Sequence, residues 1–262
     1  MTGDIIGDSG VALLKRHLPG LIKDYAAECV IVNGENSATN GRGITPAVAD
    51  SLFQSGVHVI TGGNHSWGQK TIYNYITTQP NLLRPANYPG KCPGSGHTIV
   101  TVNGYKLAVV NIQGRVFMRE LLDCPFKTME TLLTYLRAQV NMILVDFHAE
   151  ATAEKVGMGF FLDGKVSALV GTHTHIQTAD ARILSKGTAY ISDLGMCGAL
   201  DSMIGMKTDV MLNHMRTQLP AKFEVEPNPP YILCGVCIEV DTETGSALSI
   251  QPIQIEDPNL VL

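Results

Sequence analysis

The stretch Val166-Ser-Ala-Leu-Val-Gly-Thr-His-Thr-His175 decides the fold: a short apolar run ends in glycine and then carries two histidines. Residues 166–170 read as a buried strand, with the histidine pair just past its carboxyl end. In open α/β sheets, ligands bind in the crevice beyond the carboxyl ends of strands, so polar residues far apart in sequence can converge there. The same arrangement recurs along the chain. Gly34-Glu35-Asn36 follows the run 29–33, Gly63-Asn64-His65 follows 57–61, and Phe147-His148 follows 142–146. Gly3-Asp4 opens the chain in the same style, and because only Met1, Thr2 and Gly3 precede Asp4, the first strand is expected to be very short. Further strands are expected at 107–112 and 189–192. Helical apolar spacing occupies 11–25, 46–54 and 129–139, with Pro46 suited to a first helical turn. The alternation predicts an α/β protein. Residues 233–240 and 247–255, separated by Asp241-Thr-Glu-Thr-Gly245, predict a closing antiparallel hairpin.

At 262 residues the chain is expected to form a single domain, 1–262. Its 19 Lys and Arg stand against 24 Asp and Glu, a net charge of -5 with no basic block, which argues against duplex nucleic acid as a partner. A small anionic substrate fits only if bound metals supply positive charge. No apolar stretch approaches the roughly 20 residues of a membrane span, and no charged and apolar leader opens the chain, so a cytoplasmic protein without membrane contact is expected. The six cysteines are expected to be reduced. Cys234-Gly-Val-Cys237 has redox or zinc spacing, but it lies in an apolar strand-like run with no second pair, and it reads as buried structural thiols.

The strand-end residues supply carboxylate, amide and imidazole, the donors that divalent metals of borderline hardness take. His173 and His175, at i and i+2, can straddle two nearby ions. Asn64 offers a neutral oxygen, His148 a neutral nitrogen, and the glycines before Asn64 allow close backbone approach. A carboxylate such as Glu35 or Asp4 can bridge two ions about 3.5–4 Å apart, the spacing of two-metal hydrolytic sites. Two dications against Asp4, Glu35 and a hydroxide leave a net charge of about +1, which attracts a phosphodiester and stabilises its transition state.

Together, Gly3-Asp4-Ile5-Ile6-Gly7, Asn33-Gly-Glu-Asn36, Gly63-Asn64-His65-Ser-Trp67, Arg84-Pro-Ala-Asn-Tyr-Pro89, Gly114-Arg-Val-Phe-Met118, Asp146-Phe-His-Ala-Glu-Ala-Thr152, Gly171-Thr-His-Thr-His-Ile-Gln-Thr178 and Asp193-Leu-Gly-Met196 resemble the YmdB-like family of calcineurin-like metallophosphoesterases. The resemblance covers nearly the whole chain. It implies a four-layer α/β/β/α sandwich with two divalent metal ions per chain, iron or manganese, with zinc or cobalt as alternatives. Carried over by position, Asp4, Glu35 and His175 hold the first ion, with Asn36 as a ligand or near neighbour. Glu35, Asn64, His148 and His173 hold the second, and His65 contacts phosphate and protonates the leaving oxygen. Two features differ from the wider superfamily but agree with this branch: Ile6 stands where a histidine is usual, and Glu35 replaces the usual bridging aspartate.

The reading is metal-assisted hydrolysis of a phosphoester, with 2′,3′-cyclic nucleotides (cyclic AMP type) as the substrate class the resemblance implies. Alternatives are a phosphomonoesterase, or a nucleotide sensor that keeps its metals without much turnover. An amidohydrolase is disfavoured because its His-x-His pair belongs to the first strand. Arg84 and Arg115 either clamp substrate or tie loops together. The stretch 195–205, with Asp201 and Ser202, is a substrate-facing loop or a plain connection. Trp67 reads as a packing residue, Asp146 and Thr174 as partners that orient the histidines, and the molecule as a homo-oligomer.

Overall fold

The computed structural model describes residues 1–260. In chain order the elements are β1 (Thr2–Ile5), α1 (Gly7–Asp24), β2 (Ile31–Asn33), α2 (Pro46–Gln54), β3 (Val59–Thr61), α3 (Ile72–Thr78), β4 (His97–Val102), β5 (Tyr105–Gln113), α4 (Pro125–Leu136), β6 (Met142–His148), α5 (Thr152–Leu162), β7 (Ala168–Thr172), β8 (Arg182–Ile183), β9 (Ala189–Ile191), β10 (Met196–Ala199), α6 (Thr208–Thr217), β11 (Tyr231–Val240) and β12 (Ala247–Asp257). They build two mixed sheets, ordered β12-β11-β10-β1-β2-β3 and β4-β5-β6-β7-β9-β8. The fold is α/β, as the alternation predicted.

Within the first sheet, β10, β1, β2 and β3 run parallel. In the second, β5, β6, β7 and β9 run parallel. Parallel strands lie buried on both faces, which explains their near-continuous apolar runs. The period of two then sorts side chains between faces. Ala108, Val110, Ile143 and Val145 join Met129, Leu133 and Leu136 of α4 and Met158 and Leu162 of α5 in one apolar cluster. Their neighbours Val109, Leu144 and Val170 meet Ile31, Val59 and Val236 of the other sheet in a second cluster. A third packs Leu13, Leu14 and Leu18 of α1, Leu52 of α2 and Ile72 of α3 against Ile5, Val32, Ile60 and Leu233.

Several boundaries moved. Helix α2 has the expected bounds, capped by Thr45 Oγ1 accepting the Val48 N–H at 3.3 Å. Helix α1 starts at Gly7, four residues before the apolar spacing begins, because Gly10 packs directly on the Cys197 carbonyl. Helix α4 starts at Pro125, which fixes its first turn. Strand β1 is four residues long, as short as expected, and is paired on both sides. The strand predicted at 166–170 is shifted to Ala168–Thr172, which brings its end directly against His173.

All six cysteines are free thiols. Burial pushes Cys29 and Cys234 up to about 11, so neither is a ready thiolate. Among the described residues, no helix is long and apolar enough to cross a membrane.

Candidate metal centre

The parallel strands of both sheets bring their carboxyl ends to one buried cleft. Asp4 lies on β1, Glu35 and Asn36 follow β2, Asn64 and His65 follow β3, His148 ends β6, and His173 and His175 follow β7. Beneath them, fully buried Asp146 ties the two sheets together: it accepts from Asn33 Nδ2 at 3.2 Å, from Thr172 Oγ1 at 2.8 Å, and from Thr61 Oγ1.

Lone pairs crowd this cleft. His148 Nε2 stands 3.2 Å from Glu35 Oε1, 2.9 Å from Asn64 Oδ1 and 3.1 Å from His173 Nδ1. One ring proton can serve only one of those three acceptors, whereas a cation among them satisfies all. Glu35, His148 and His173 each offer a ligand atom within 4.8 Å of the others. Beside them, Asp4 is fully buried; its Oδ2 accepts the His173 N–H at 3.1 Å, but its Oδ1 has no hydrogen-bond partner among the described residues. His175 Nε2 lies 4.0 Å from that orphaned oxygen and 3.3 Å from Asn36 Nδ2. A buried carboxylate oxygen without a donor is costly, and a cation removes that cost. The donor set therefore fits divalent metal.

Without metal, protons take part of that role. Burial opposes a charged His148, but the adjacent Glu35 carboxylate more than offsets it and raises His148 to about 9. Burial opposes ionisation of Glu35 as well, yet His148 and His65 hold it well below the usual carboxylate range. Burial pushes Asp4 up to about 6 despite His175 and His148 nearby. Burial and the charge on His148 bring His173 down to about 3, so it stays a neutral donor.

Each imidazole is oriented from behind. His148 Nδ1 meets Thr172 Oγ1 at 2.9 Å, and that hydroxyl donates to Asp146. His173 Nε2 meets Glu150 Oε2 at 3.2 Å, and His175 Nδ1 meets the Ile204 carbonyl at 2.8 Å. Of these partners the sequence pointed only to Asp146, which acts through Thr172. Thr174 gives its backbone N–H to Asp193 and makes no hydrogen bond to a histidine ring among the described residues. The loop after β10 reaches the centre through Ile204, while Ser202 closes a local turn with Ala199 and Gly205.

His65, 29% exposed at its side chain, borders the cleft. Its backbone N–H donates to Glu35 Oε2 at 2.8 Å and its Nδ1 meets Asn36 Oδ1 at 2.7 Å, leaving Nε2 without a hydrogen-bond partner among the described residues. The Asn36 oxygen accepts from His65 Nδ1, while Asn36 Nδ2 donates to Glu35 Oε1 at 3.2 Å and lies 3.3 Å from His175 Nε2. Arg84 is not brought to the cleft: its guanidinium donates to the carbonyls of Pro85, Cys92, Pro93 and Gly94, the loop-tying alternative. Arg115 is exposed beside the end of β5, with its backbone N–H on Glu154. Trp67 packs edge-on between Tyr73 and Tyr88, with ring centroids 5.6 and 5.8 Å away.

The sequence profile of the family described as "YmdB-like protein" matches residues 1–253. The chain is 45% identical to the 2′,3′-cyclic-nucleotide 2′-phosphodiesterase of Bacillus subtilis (strain 168) over 258 residues, 98% of this chain and 97% of that protein. A solved structure of a Mycoplasma pneumoniae protein described as a novel phosphatase is 35% identical with a TM-score of 0.91, covering 98% of this chain and 93% of its own. A hypothetical protein from Thermus thermophilus is 36% identical with a TM-score of 0.89, covering 98% of each chain.

Proposed function

The chain belongs to the YmdB-like family, and from that premise we propose that its cleft hydrolyses phosphodiesters in a metal-dependent reaction, with 2′,3′-cyclic nucleotides as substrates. The observation that carries this reading is the crowding of Glu35, Asn64, His173 and His148 lone pairs beside the orphaned Asp4 oxygen. The substrate class rests on the name of the Bacillus subtilis relative.

In this reading the donors divide into two adjoining positions that share Glu35. Asp4 and His175 complete one, beside Asn36, and Asn64, His148 and His173 complete the other. Mixed oxygen and imidazole donors suit iron or manganese, with zinc and cobalt as alternatives. Bound there, two divalent ions supply the positive charge that draws in phosphate and makes water nucleophilic at neutral pH.

The protein's own residues then handle position and protons. Asn36 Oδ1 holds the His65 Nδ1–H, so Nε2 faces the substrate. As the oxygen of water bonds to phosphorus, losing one proton to solvent, and the P–O2′ bond breaks, the departing ribose oxygen takes the proton from His65 Nε2, leaving a 3′-nucleotide; solvent then returns a proton to His65. Arg115, exposed beside the end of β5, is the candidate contact to the nucleotide. We read the frame as one metallophosphoesterase domain in four layers, α/β/β/α. Three apolar clusters support this: helices on each sheet, and one cluster shared between the sheets.

Phosphorus NMR of 2′,3′-cyclic AMP incubated with the manganese-loaded protein tests the reaction. Conversion to 3′-AMP is expected. Preferential hydrolysis of a monoester such as p-nitrophenyl phosphate, with cyclic AMP untouched, would assign the cleft to phosphomonoesters.

A further inference from the structure

Behind the two histidines after β7 lies an ion pair with no place in the chemistry above. Lys155 of α5 donates from Nζ to Asp193 Oδ2 at 2.7 Å, and the side chains are only 2% and 1% exposed. Burying both an ammonium and a carboxylate is costly, and a well-packed apolar pair commonly serves stability as well. The other bonds of Asp193 show what the pair achieves.

Oδ2 also accepts the Thr174 N–H at 3.0 Å, midway between His173 and His175. Those histidines have φ of 103° and 67°, a left-handed backbone that residues with a Cβ rarely adopt and that only strong surrounding contacts maintain. Oδ1 accepts the Gly195 N–H at 2.9 Å, and the Gly195 carbonyl accepts the Asp4 N–H at 3.0 Å. One carboxylate therefore grips the histidine loop with one oxygen and the backbone beside Asp4 with the other. Gly171 leaves the room: a Cβ there would collide with the Ser192 carbonyl and crowd the Lys155 stem.

We propose that Asp193, paired with Lys155, is a positioning residue for the metal centre, fixing His173, His175 and Asp4 relative to one another while touching neither metal nor substrate. Neutralising it removes the stronger, charge-assisted acceptance of both N–H groups. An amide in its place can accept with its oxygen only, so one of the two N–H groups is left facing an NH2. The proposal rests on the metal-binding reading of the cleft.

The test is Mn2+ titration of metal-free wild type, Asp193→Asn, Lys155→Met and the double variant, following free Mn2+ by its paramagnetic resonance and folding by thermal melting. In the double variant the uncompensated buried charge is gone. The expected result is a melting temperature near that of wild type together with about 10- to 100-fold weaker Mn2+ binding, as for other partners that orient ligands. Wild-type affinity in a folded double variant would overturn the proposal, as would loss of folding in all three variants, which would assign the pair to stability. Absence of Mn2+ binding by wild type would instead overturn the metal-binding reading itself.

Discussion

Single residues set the chemistry through what they exclude as much as through what they offer. Gly63 is an example: a Cβ there would run into the Glu35 carboxylate and the His148 ring. Gly63→Ala is therefore expected to lower metal affinity by displacing the Glu35 carboxylate, which calorimetric titration with Mn2+ will show. His65 makes a finer distinction. Burial lowers its pKa, with Arg42 acting in the same sense and Glu35 against it, so its protonated form is a stronger acid than free imidazole. A ribose oxygen leaves only with a proton, whereas p-nitrophenolate leaves without one. His65→Ala should thus cost about 10²- to 10⁴-fold in kcat on 2′,3′-cyclic AMP, far less on bis(p-nitrophenyl) phosphate, with metal content unchanged. Equal losses on both substrates would remove His65 from proton transfer. Glu35, Asn64 and the histidines, which the fold gathers at one cleft, stood out in the sequence because each follows an apolar run, whereas Asp4, preceded by Met1-Thr2-Gly3, has no such run before it. Glu150 and the Ile204 carbonyl were not, since an exposed glutamate and a backbone oxygen leave no pattern.

At the scale of elements, sequence patterns were informative where apolar periodicity was strong and silent where turn chemistry or packing took over. The start of α1, Gly7-Asp8-Ser9-Gly10, has the composition of a turn, and tertiary contact with Cys197 makes it helical. Strand β4 went unread although its signal was present. Asn103-Gly104, with φ of 48° and 87°, is the tight turn joining it to β5. A Cβ on Gly104 meets nothing within 4 Å, so Gly104→Ala tests backbone strain alone. It should cost about 1–2 kcal/mol by denaturant unfolding and leave turnover intact. Helices α3, α5 and α6 also escaped the sequence reading: α3 has only 7 residues, the apolar spacing of α5 is weak, and α6 went unread although its spacing is about as regular as that of α1. Even so, the two sets of parallel strands that hold the centre were nearly all located, because strands buried on both faces must be apolar throughout.

For the whole molecule, metal, protons and stability are linked. In the metal-free protein His148 sits near 9, above the roughly 6.5 of an unfolded histidine. A group whose pKa rises on folding contributes stability that is complete below its unfolded value and lost as pH climbs through its folded value. Metal-free protein should therefore melt at progressively lower temperature from about pH 6.5 to pH 9, while metal-loaded protein, with a cation in place of that proton, should not. Loading at pH 7 should release about one proton per chain, read with an indicator dye in weak buffer. What no local pattern could convey is how two sheets, packed together through a shared apolar cluster, face their strand ends onto one cleft. That depends on Asp146 and Asn33 bridging the sheets, a contact visible only once the chain is folded.

The most direct test of the account is turnover of 2′,3′-cyclic AMP by metal-free protein as Mn2+ is added stepwise. The account predicts no activity at the start and a rise that saturates near two ions per chain. Full turnover before any metal is added, or none after saturation of the folded protein, would contradict it.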